Sequence, residues 1–444
     1  MRTVLVSAAD NLKGFMALFA LPYYAARRRK EQWLSPARLA DLRAERVRAL
    51  FRKARAAPYY KRVLPDGSRA CTAEELLAGA PILDKRILAE EGLEALLTAG
   101  SAGLIPIMTS GSTGHPARLA RGPLEETEYS ARVHRVYSAY GSKARDRILN
   151  VGSLAAKRRT GAATALRDLG LLPKIQQIFV GMPVEQAVRI LLDFKPQLVT
   201  GYAVGLENMA EYIVRHGIEL TPPRVVTCGA MDVTDHCRDL IQRAFRAPAM
   251  NVYVCNELGV VGWECPGRRG LLHTNDDVQV MEILDENDEP VPDGSPGEIV
   301  VTSLTLTRMP LIRYRTGDTA ARVSQPCSCG RGLGLMTPVL GRTAHTIVGP
   351  GGELYAAPTV GSIFKAAHAY EWVRRFQVRE QKGRELLILV EIHCEPSPAQ
   401  RQDLLDQMHR IFGPAFTFRI EVRDELPLTP AGKYQFLVPL SRNN

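Results

Sequence analysis

Residues that could bind a phosphate group are concentrated between Ile107 and Arg118. Two glycines and four hydroxyl residues follow the apolar run Leu104–Met108, which predicts a strand ending in a flexible loop. Glycine lets backbone N–H groups approach a polyanion, and hydroxyls add further donors. The spacing matches neither the P-loop nor the dinucleotide fingerprint, so a Ser/Gly-rich surface loop without a ligand is the alternative. The candidate phosphate contacts are Thr109, Ser110, Gly111, Ser112, Thr113 and Gly114.

Four later segments carry further chemistry-bearing residues: Tyr253–Glu257, Arg313–Asp318, Gly341-Arg342 and Leu426–Lys433. Together with the loop, and in this order, they resemble the motifs of the adenylate-forming enzymes, which include acyl-CoA synthetases, peptide-synthetase adenylation domains and luciferases. The length and the N-terminal part resemble the phenylacetate-CoA ligase branch. The resemblance implies that ATP activates a carboxylic acid to an acyl-adenylate with release of pyrophosphate.

The resemblance also implies how the nucleotide is bound. Tyr253 stacks on adenine, Asn256 contacts the α-phosphate, and Asp318 accepts both ribose hydroxyls, a task that suits the two oxygens of a carboxylate. The adenine also lies along the segment Gly229, Ala230 and Met231.

Three residues are implied in catalysis. Glu257 holds Mg²⁺, which offsets the charge on the leaving pyrophosphate. Arg342 lies near the ribose and phosphate. Lys433 reaches both the substrate carboxylate and the α-phosphate, and its positive charge offsets the repulsion between these two anions.

Several positions depart from the family pattern. Met231 stands where glutamate is usual, Asn256 replaces serine or threonine, and Thr343-Ala-His345 replaces the usual hinge acid segment. The resemblance implies an aromatic acid and CoA as acceptor, in secondary metabolism. The altered segment after Arg342 favours a second hypothesis, transfer to an amine, a hydroxyl or a carrier protein. A third hypothesis is a nucleotide-binding protein that has lost catalysis.

Residues 125–245 alternate between helical and strand-like runs, which predicts crossover connections and a largely parallel sheet. Ligands of such sheets bind beyond the carboxyl ends of the strands. The loops that follow these strands supply Gly201, Tyr202 and Ser153 as candidate contacts of the acid, with a core tyrosine as the equally weighted alternative for Tyr202.

The predicted fold class is α/β. A large N-terminal domain, 1–341, has parallel-rich sheets flanked by helices, a helical segment at 1–64 and a small β subdomain at 265–340. A small, mobile α+β C-terminal domain spans 342–444. Alternating strands at Val278–Leu284 and Gly297–Leu304 predict the hairpin of the β subdomain.

The cysteines do not form a secreted disulfide framework. Cys327 and Cys329 in a Pro/Ser/Gly loop, with Cys265 and His273, have the Cys₃His composition of a closed tetrahedral zinc site. We expect a structural Zn²⁺ that joins two loops, as in some phenylacetate-CoA ligase relatives; the alternative is a set of reduced cysteines in a cytoplasmic protein.

The chain of 444 residues carries a net charge of +10. Its arginines are dispersed without a nucleic-acid-binding motif, so we do not expect nucleic acid as a partner. We expect the positive charge to attract anionic nucleotides. The apolar run Gly14–Ala26 and the basic cluster Arg27–Lys30 have the wrong order for a secretory signal, and the run is too short to span a bilayer. We expect a helix lying on the protein in a cytoplasmic enzyme; a membrane-surface anchor is the alternative. A homodimer and a carrier protein stay open as partners.

Overall fold

The computed structural model describes residues 8–64, 72–108, 118–152, 173–229, 233, 235–340, 347–350, 354–355, 357–427 and 435–440. The chain divides into two compact units. The first comprises 1–231, 240–316 and 321–338, and the second comprises 232–239, 317–320 and 339–444.

Helix boundaries follow the local sequence. Ser35, Thr72, Asp84 and Ser397 each accept a backbone N–H of the first helical turn through a side-chain oxygen, which fixes where the helix begins. The helices are α1 Ala8–Glu31, α2 Pro36–Ala54, α3 Pro58–Val63, α4 Ala73–Ala78, α5 Lys85–Leu96, α6 Pro123–Ala139, α7 Val184–Phe194, α8 Ala203–Arg215, α9 Asp235–Phe245, α10 Ala357–Ala366 and α11 Pro398–Phe412.

The principal sheet has eleven strands in the order β10-β11-β12-β13-β9-β8-β7-β6-β5-β3-β4. The stretch from β4 to β7 is parallel, and helices connect β4 to β5, β5 to β6 and β6 to β7 as the alternating sequence pattern predicts. A separate hairpin joins β1 and β2. The strands are β1 Ile105–Met108, β2 Arg118–Arg121, β3 Arg147–Gly152, β4 Lys174–Phe179, β5 Leu198–Tyr202, β6 Val225–Gly229, β7 Ala249–Cys255, β8 Gly259–Cys265, β9 Arg268–Thr274, β10 Gln279–Leu284, β11 Pro296–Ser303, β12 Tyr314–Val323 and β13 Leu335–Met336.

The mixed α/β class is confirmed, and the small β subdomain expected at 265–340 stays a prediction. Strands β8 to β13 are hydrogen-bonded neighbours in the same sheet as the parallel strands. The predicted hairpin does form, with Gln279 paired to Ser303 and Leu284 to Glu298. Sequence alternation identifies such a hairpin but carries no information about which distant strand its edge joins.

The second unit contains a four-stranded sheet in the order β18-β17-β16-β19, with a core of buried apolar side chains shared with α10 and α11. Two successive strands, β16 and β17, precede α11. The mobility of this unit and the boundary at residue 342 stay predictions. The remaining strands are β14 Ile347–Val348, β15 Leu354–Tyr355, β16 Val373–Glu380, β17 Glu385–Ile392, β18 Thr417–Val422 and β19 Leu437–Val438.

Helix α1 packs on α6, and one arginine of its basic cluster Arg27–Lys30 is buried. Arg28 is 2% exposed, and its Nη1 lies 2.7 Å from Oδ2 of the fully buried Asp277. Arg135 from α6 contacts the same carboxylate at 2.9 and 3.0 Å. Among the described residues, no helix combines the length and the apolarity needed to cross a membrane.

Candidate functional site

Predicted site residues lie at the carboxyl ends of three adjacent parallel strands. Tyr202 of β5 pairs with Gly229 of β6, and Gly229 pairs with Val252 of β7. Tyr253 follows Val252 directly and is half-buried. The parallel topology therefore brings Tyr202, Gly229 and Tyr253 to one edge of the sheet, as the sequence predicted.

Two of the predicted glycines are required by strand packing. A Cβ at Gly201 would lie 2.3 Å from the carbonyl oxygen of Val151, and one at Gly229 would lie 2.6 Å from that of Val252. No larger side chain fits either position without a backbone shift. Their presence is thus explained by the sheet itself, and their contact with a ligand stays a prediction.

Glu257 lies on the turn between β7 and β8 and is 6% exposed. Its Oε1 accepts a hydrogen bond of 3.2 Å from the Tyr314 hydroxyl and lies 3.3 Å from Nζ of Lys85. Lys85 is the first residue of α5 and Tyr314 the first of β12. The carboxylate is therefore held by groups from two other parts of the chain.

Arg121, the last residue of β2, connects this turn to the strand that follows the predicted phosphate loop. Its Nη2 donates to the backbone oxygens of Asn256 and Glu257, the latter at 3.0 Å. The guanidinium also lies over the Tyr129 ring, 5.1 Å from its centroid. Met108 and Arg118, which flank the predicted loop, are paired residues of the β1–β2 hairpin. Arg121 of the same hairpin contacts the Glu257 backbone, so the two ends of the loop belong to an element that contacts the Glu257 turn.

Lys85, Tyr314 and Arg121 were not singled out by the sequence analysis. Tyr314 belongs to the segment that contains Asp318, so its proximity to the motif was visible. Lys85 follows the helix cap Asp84, Arg121 ends the short strand β2, and neither pattern indicates a ligand. Contacts across more than a hundred residues, such as Lys85–Glu257, leave no trace in local periodicity.

Asp318 lies on β12 and is 8% exposed. The backbone N–H of Leu340 donates to the oxygen of the next residue, Thr319, at 2.8 Å. Several other predicted contacts lie outside the described residues: Thr109, Ser110, Gly111, Ser112, Thr113, Gly114, Ser153, Ala230, Met231, Arg342 and Lys433.

The four predicted zinc ligands converge. Cys265 ends β8, His273 lies on β9, and Cys327 and Cys329 lie on the loop between β12 and β13; their ligand atoms are all within 4.8 Å of one another. The Sγ atoms of Cys265 and Cys327 are 3.5 Å apart, and Sγ of Cys329 is 3.3 Å from His273 Nε2. Two thiolates each about 2.3 Å from a tetrahedral zinc would be separated by about 3.8 Å, so the donor set fits this ion.

The protonation of this cluster follows from its burial. Burial lowers the pKa of His273 to about 4, so its imidazole is neutral at physiological pH, as metal binding requires. Burial raises the pKa of the Cys265 thiol to about 12. Burial also tends to raise the pKa of the Cys329 thiol, but hydrogen bonds from the Arg331 backbone and side chain outweigh this effect and lower that pKa overall. A bound cation would favour the thiolate at every cysteine of the set.

The cysteine loop is also packed against the end of α1. The Arg331 guanidinium lies over Trp33 and Trp263, 4.6 and 5.2 Å from the ring centroids, and its Nε donates to Gln32 Oε1 at 2.9 Å. The N–H of Gly332 donates to the Gln32 oxygen at 3.1 Å. The cluster thus lies where three strands and the N-terminal helix meet.

No family model matches the sequence. Comparison with curated proteins finds the phenylacetate-coenzyme A ligase of Thermus thermophilus, 30% identical over 181 residues, which are 39% of this chain and 40% of that enzyme. The chain therefore aligns with less than half of this relative.

Solved structures share the fold over a greater length. A 2-hydroxyisobutyryl-CoA ligase in complex with an acyl-AMP superposes with a TM-score of 0.78 at 18% identity, covering 93% of this chain and 92% of that one. The amide bond synthetase McbA of Marinactinospora thermotolerans superposes with a TM-score of 0.53 at 18% identity, covering 75% and 67%. The chain is therefore similar in sequence, over part of its length, to a phenylacetate-coenzyme A ligase, and it shares the fold of a 2-hydroxyisobutyryl-CoA ligase and of an amide bond synthetase.

Proposed function

We propose that this protein is an ATP-dependent ligase that converts a carboxylic acid to an acyl-adenylate, releases pyrophosphate and passes the acyl group to CoA. The observation that carries this proposal is the placement of Glu257. Its buried carboxylate lies at the carboxyl edge of the parallel strands, and Arg121 ties its turn to the strand that leaves the predicted phosphate loop. A nucleotide held by that loop would present its phosphates near an acidic group.

Glu257 is the residue we assign to Mg²⁺. A carboxylate is a hard oxygen ligand, and Mg²⁺ is commonly held by one or two carboxylates together with substrate phosphates. The ion would neutralise charge on the phosphates. Lys85, 3.3 Å from the same carboxylate, contributes a second positive charge to this region.

The remaining nucleotide contacts follow the sequence prediction. We assign adenine to Tyr253, Gly229, Ala230 and Met231, and the ribose hydroxyls to Asp318. Asn256 and the hydroxyl-rich loop donate to phosphate oxygens, and Arg342 supplies charge near the ribose.

Lys433 is the cation we assign to the reacting groups. The attacking carboxylate and the α-phosphate are both anionic, and a positioned ammonium that contacts both stabilises their approach and the developing charge. We assign the acid, of an aromatic class, to the edge that contains Gly201 and Tyr202, with Ser153 beside them. Sequence similarity to a phenylacetate-coenzyme A ligase supports this class.

A second acceptor is favoured by one observation. The segment Thr343-Ala-His345 replaces the hinge acid of relatives, and this change favours transfer to an amine, a hydroxyl or a carrier protein. The fold shared with an amide bond synthetase is compatible with this route. The mass of the product formed with and without CoA distinguishes the two.

The cysteine cluster is proposed to hold a structural Zn²⁺. All four donors are protein side chains, which completes a tetrahedral set without an open position for substrate. The metal would stabilise the junction of β8, β9 and the loop that precedes β13, and would take no part in adenylation.

The decisive experiment is pyrophosphate exchange into ATP with a panel of organic acids. We expect exchange that depends on the acid, and Lys433→Ala should reduce it by about 1000-fold while nucleotide binding survives, because only the reacting groups lose their cation. Lys382→Ala, which removes an exposed lysine of the same unit, is the matched control. Absence of exchange with every acid would favour the degenerate nucleotide-binding hypothesis, and near-normal exchange in Lys433→Ala would refute the assignment of this lysine.

A further inference from the structure

The second unit contains a buried side-chain amide that the proposed chemistry has not used. Gln377 lies in the middle of β16 and is 1% exposed. A buried polar side chain is costly unless its hydrogen-bonding groups are satisfied, and the partners that satisfy it show which parts of the chain it connects.

The amide nitrogen of Gln377 connects two segments that are separated in sequence. Its Nε2 donates to the backbone oxygen of Pro427 at 3.2 Å and to that of Gln435 at 2.9 Å. These two donations use both hydrogens of the amide. Its Oε1 accepts from Arg379 Nε at 2.7 Å, so the orientation of the amide is fixed by a neighbour on the same strand.

Pro427 and Gln435 are the described residues on either side of 428–434. Lys433 belongs to that interval and lies outside the described residues, two positions before Gln435. A single buried side chain therefore holds both ends of the segment that contains the proposed catalytic lysine.

Backbone contacts secure the same two ends. Beyond Gln435, the Val378 N–H donates to the Phe436 oxygen at 2.8 Å and β16 pairs in parallel with β19. Before Pro427, the Leu426 N–H donates to Glu391 Oε1 at 3.0 Å. These contacts attach each end to the sheet separately, and only Gln377 donates from one group to both among the hydrogen bonds described.

We propose that Gln377 is a positioning residue for Lys433: by joining the Pro427 and Gln435 carbonyls, it sets the separation of the segment's ends and thereby where the lysine is presented. This inference rests on the proposed function, in which Lys433 acts on the reacting groups. Catalysis by positioning is sensitive to displacements of about 1 Å, so loss of the bridge should lower the rate more than it lowers nucleotide affinity.

The test uses the full-length protein and two variants. Gln377→Leu keeps the approximate size and removes all polar groups. Gln377→Glu keeps an acceptor for Arg379 and removes both donors. In each we expect acid-dependent pyrophosphate exchange at saturating ATP to fall about 10- to 100-fold, with the KM for ATP changed less than about twofold.

A double-mutant cycle separates positioning from general damage. If Gln377 acts through Lys433, then Gln377→Leu combined with Lys433→Ala should be no slower than Lys433→Ala alone. Val378→Ala is the matched packing control, because Val378 is fully buried in the same strand and its substitution leaves the amide bridge in place. Thermal unfolding of each variant establishes that the second unit is folded.

The outcomes are distinct. Exchange within about twofold of wild type in both Gln377 variants, a loss that adds to that of Lys433→Ala, or an equal loss in Val378→Ala would each overturn the inference. If Gln377→Leu does not fold, Gln377→Glu alone decides between these results. Failure of the proposed function is recognised separately, because wild type would then show no acid-dependent exchange or Lys433→Ala would retain it.

Discussion

Oε1 of Glu257 accepts a hydrogen bond from the Tyr314 hydroxyl and also forms an ion pair with the Lys85 ammonium. A carboxylate that is 6% exposed loses much of its hydration, and these two donors compensate for part of that loss. A magnesium ion and the Lys85 ammonium would share its charge.

We predict that Glu257→Gln reduces acid-dependent pyrophosphate exchange by about 100-fold, the order of effect that a single charge-stabilising group contributes. The amide preserves size but loses the charge that a divalent cation needs, so the Mg²⁺ concentration for half-maximal exchange should rise. Measurement of exchange across a magnesium titration checks both effects.

Glu298→Gln is the control for this substitution. Glu298 is also a largely buried acid paired with a cation, since its Oε2 lies 3.4 Å from Arg315 Nε, but it belongs to β11 and has no proposed catalytic role. We expect it to retain exchange within about threefold, because surface and partly exposed ion pairs contribute little. Equal magnesium dependence in wild type and Glu257→Gln would contradict the metal assignment.

Sequence reasoning identified Glu257 but not its partners, and the reason is physical. The motif around Tyr253 is local, whereas Lys85 reaches it through the packing of α5 against the sheet region. Local sequence patterns indicate which face of a helix is apolar. They do not indicate which distant acid a lysine in the first turn of a helix will contact. The same limit applies to Gln377, because two of its partners, Pro427 and Gln435, lie 50 and 58 residues further along the chain.

At the level of elements, the cysteine cluster lies beside a very short strand, and Cys265 and Cys327 share a buried cluster with Leu335 of that strand. Strand β13 has two residues, and it pairs with β9 at Leu335↔His273 and with β12 at Val323↔Leu335. So short a strand gives few ladder hydrogen bonds, and the loop that precedes it needs another constraint. A metal bound to Cys327 and Cys329 would provide it.

We predict that metal analysis finds about one zinc per chain and that chelation lowers thermal stability before it lowers activity, since folding and metal binding are coupled at closed sites. Cys329→Ser should reduce the zinc content and the melting temperature together. Cys394→Ser, which alters an exposed cysteine of the second unit, should leave both unchanged. A metal-free preparation with full stability would exclude the structural zinc.

The elements themselves were largely predictable, with two instructive exceptions. The helical segment predicted at 1–64 is divided in the structure, and α2 and α3 are separate because Pro58 lacks the N–H that would continue α2 and instead begins the next helix. Alternation also predicted strands at Val278–Leu284 and Gly297–Leu304, which correspond to β10 and β11. It did not indicate that these strands continue the sheet of the parallel strands, because sheet membership depends on non-local pairing.

At the scale of the whole molecule, the chain has a net charge of +10, but some of its arginines are buried and paired with buried acids. Arg28 and Arg135 both contact the Asp277 carboxylate, and Arg28 also lies 2.7 Å from Glu31 and 3.3 Å from Glu128. Burial would raise the pKa of Asp277, but the Arg135 and Arg28 guanidiniums lower it overall. The N-terminal helix therefore neutralises an acid inside the first unit.

We predict that deletion of residues 1–30 lowers solubility and the free energy of unfolding, because it uncovers apolar surface on α6 and leaves Asp277 with one of its two arginines. Removal of one partner of a buried ion pair costs about 3–5 kcal/mol. Arg28→Met should reproduce most of the stability loss without the truncation, whereas Arg29→Met, at an exposed neighbouring position, should not. Denaturant unfolding at neutral pH measures these differences.

The pH dependence tests the same mechanism with a defined sign. Because the pKa of Asp277 is lowered in the folded state, its ion pairing stabilises the protein above the ordinary aspartate pKa of about 3.9 and this contribution is lost as the pH falls through the folded value. The stability gap between wild type and Arg28→Met should therefore be constant near neutrality and narrow in acid. A truncated protein that is more soluble, together with anionic-liposome binding by the full-length chain alone, would instead show that α1 serves a membrane surface.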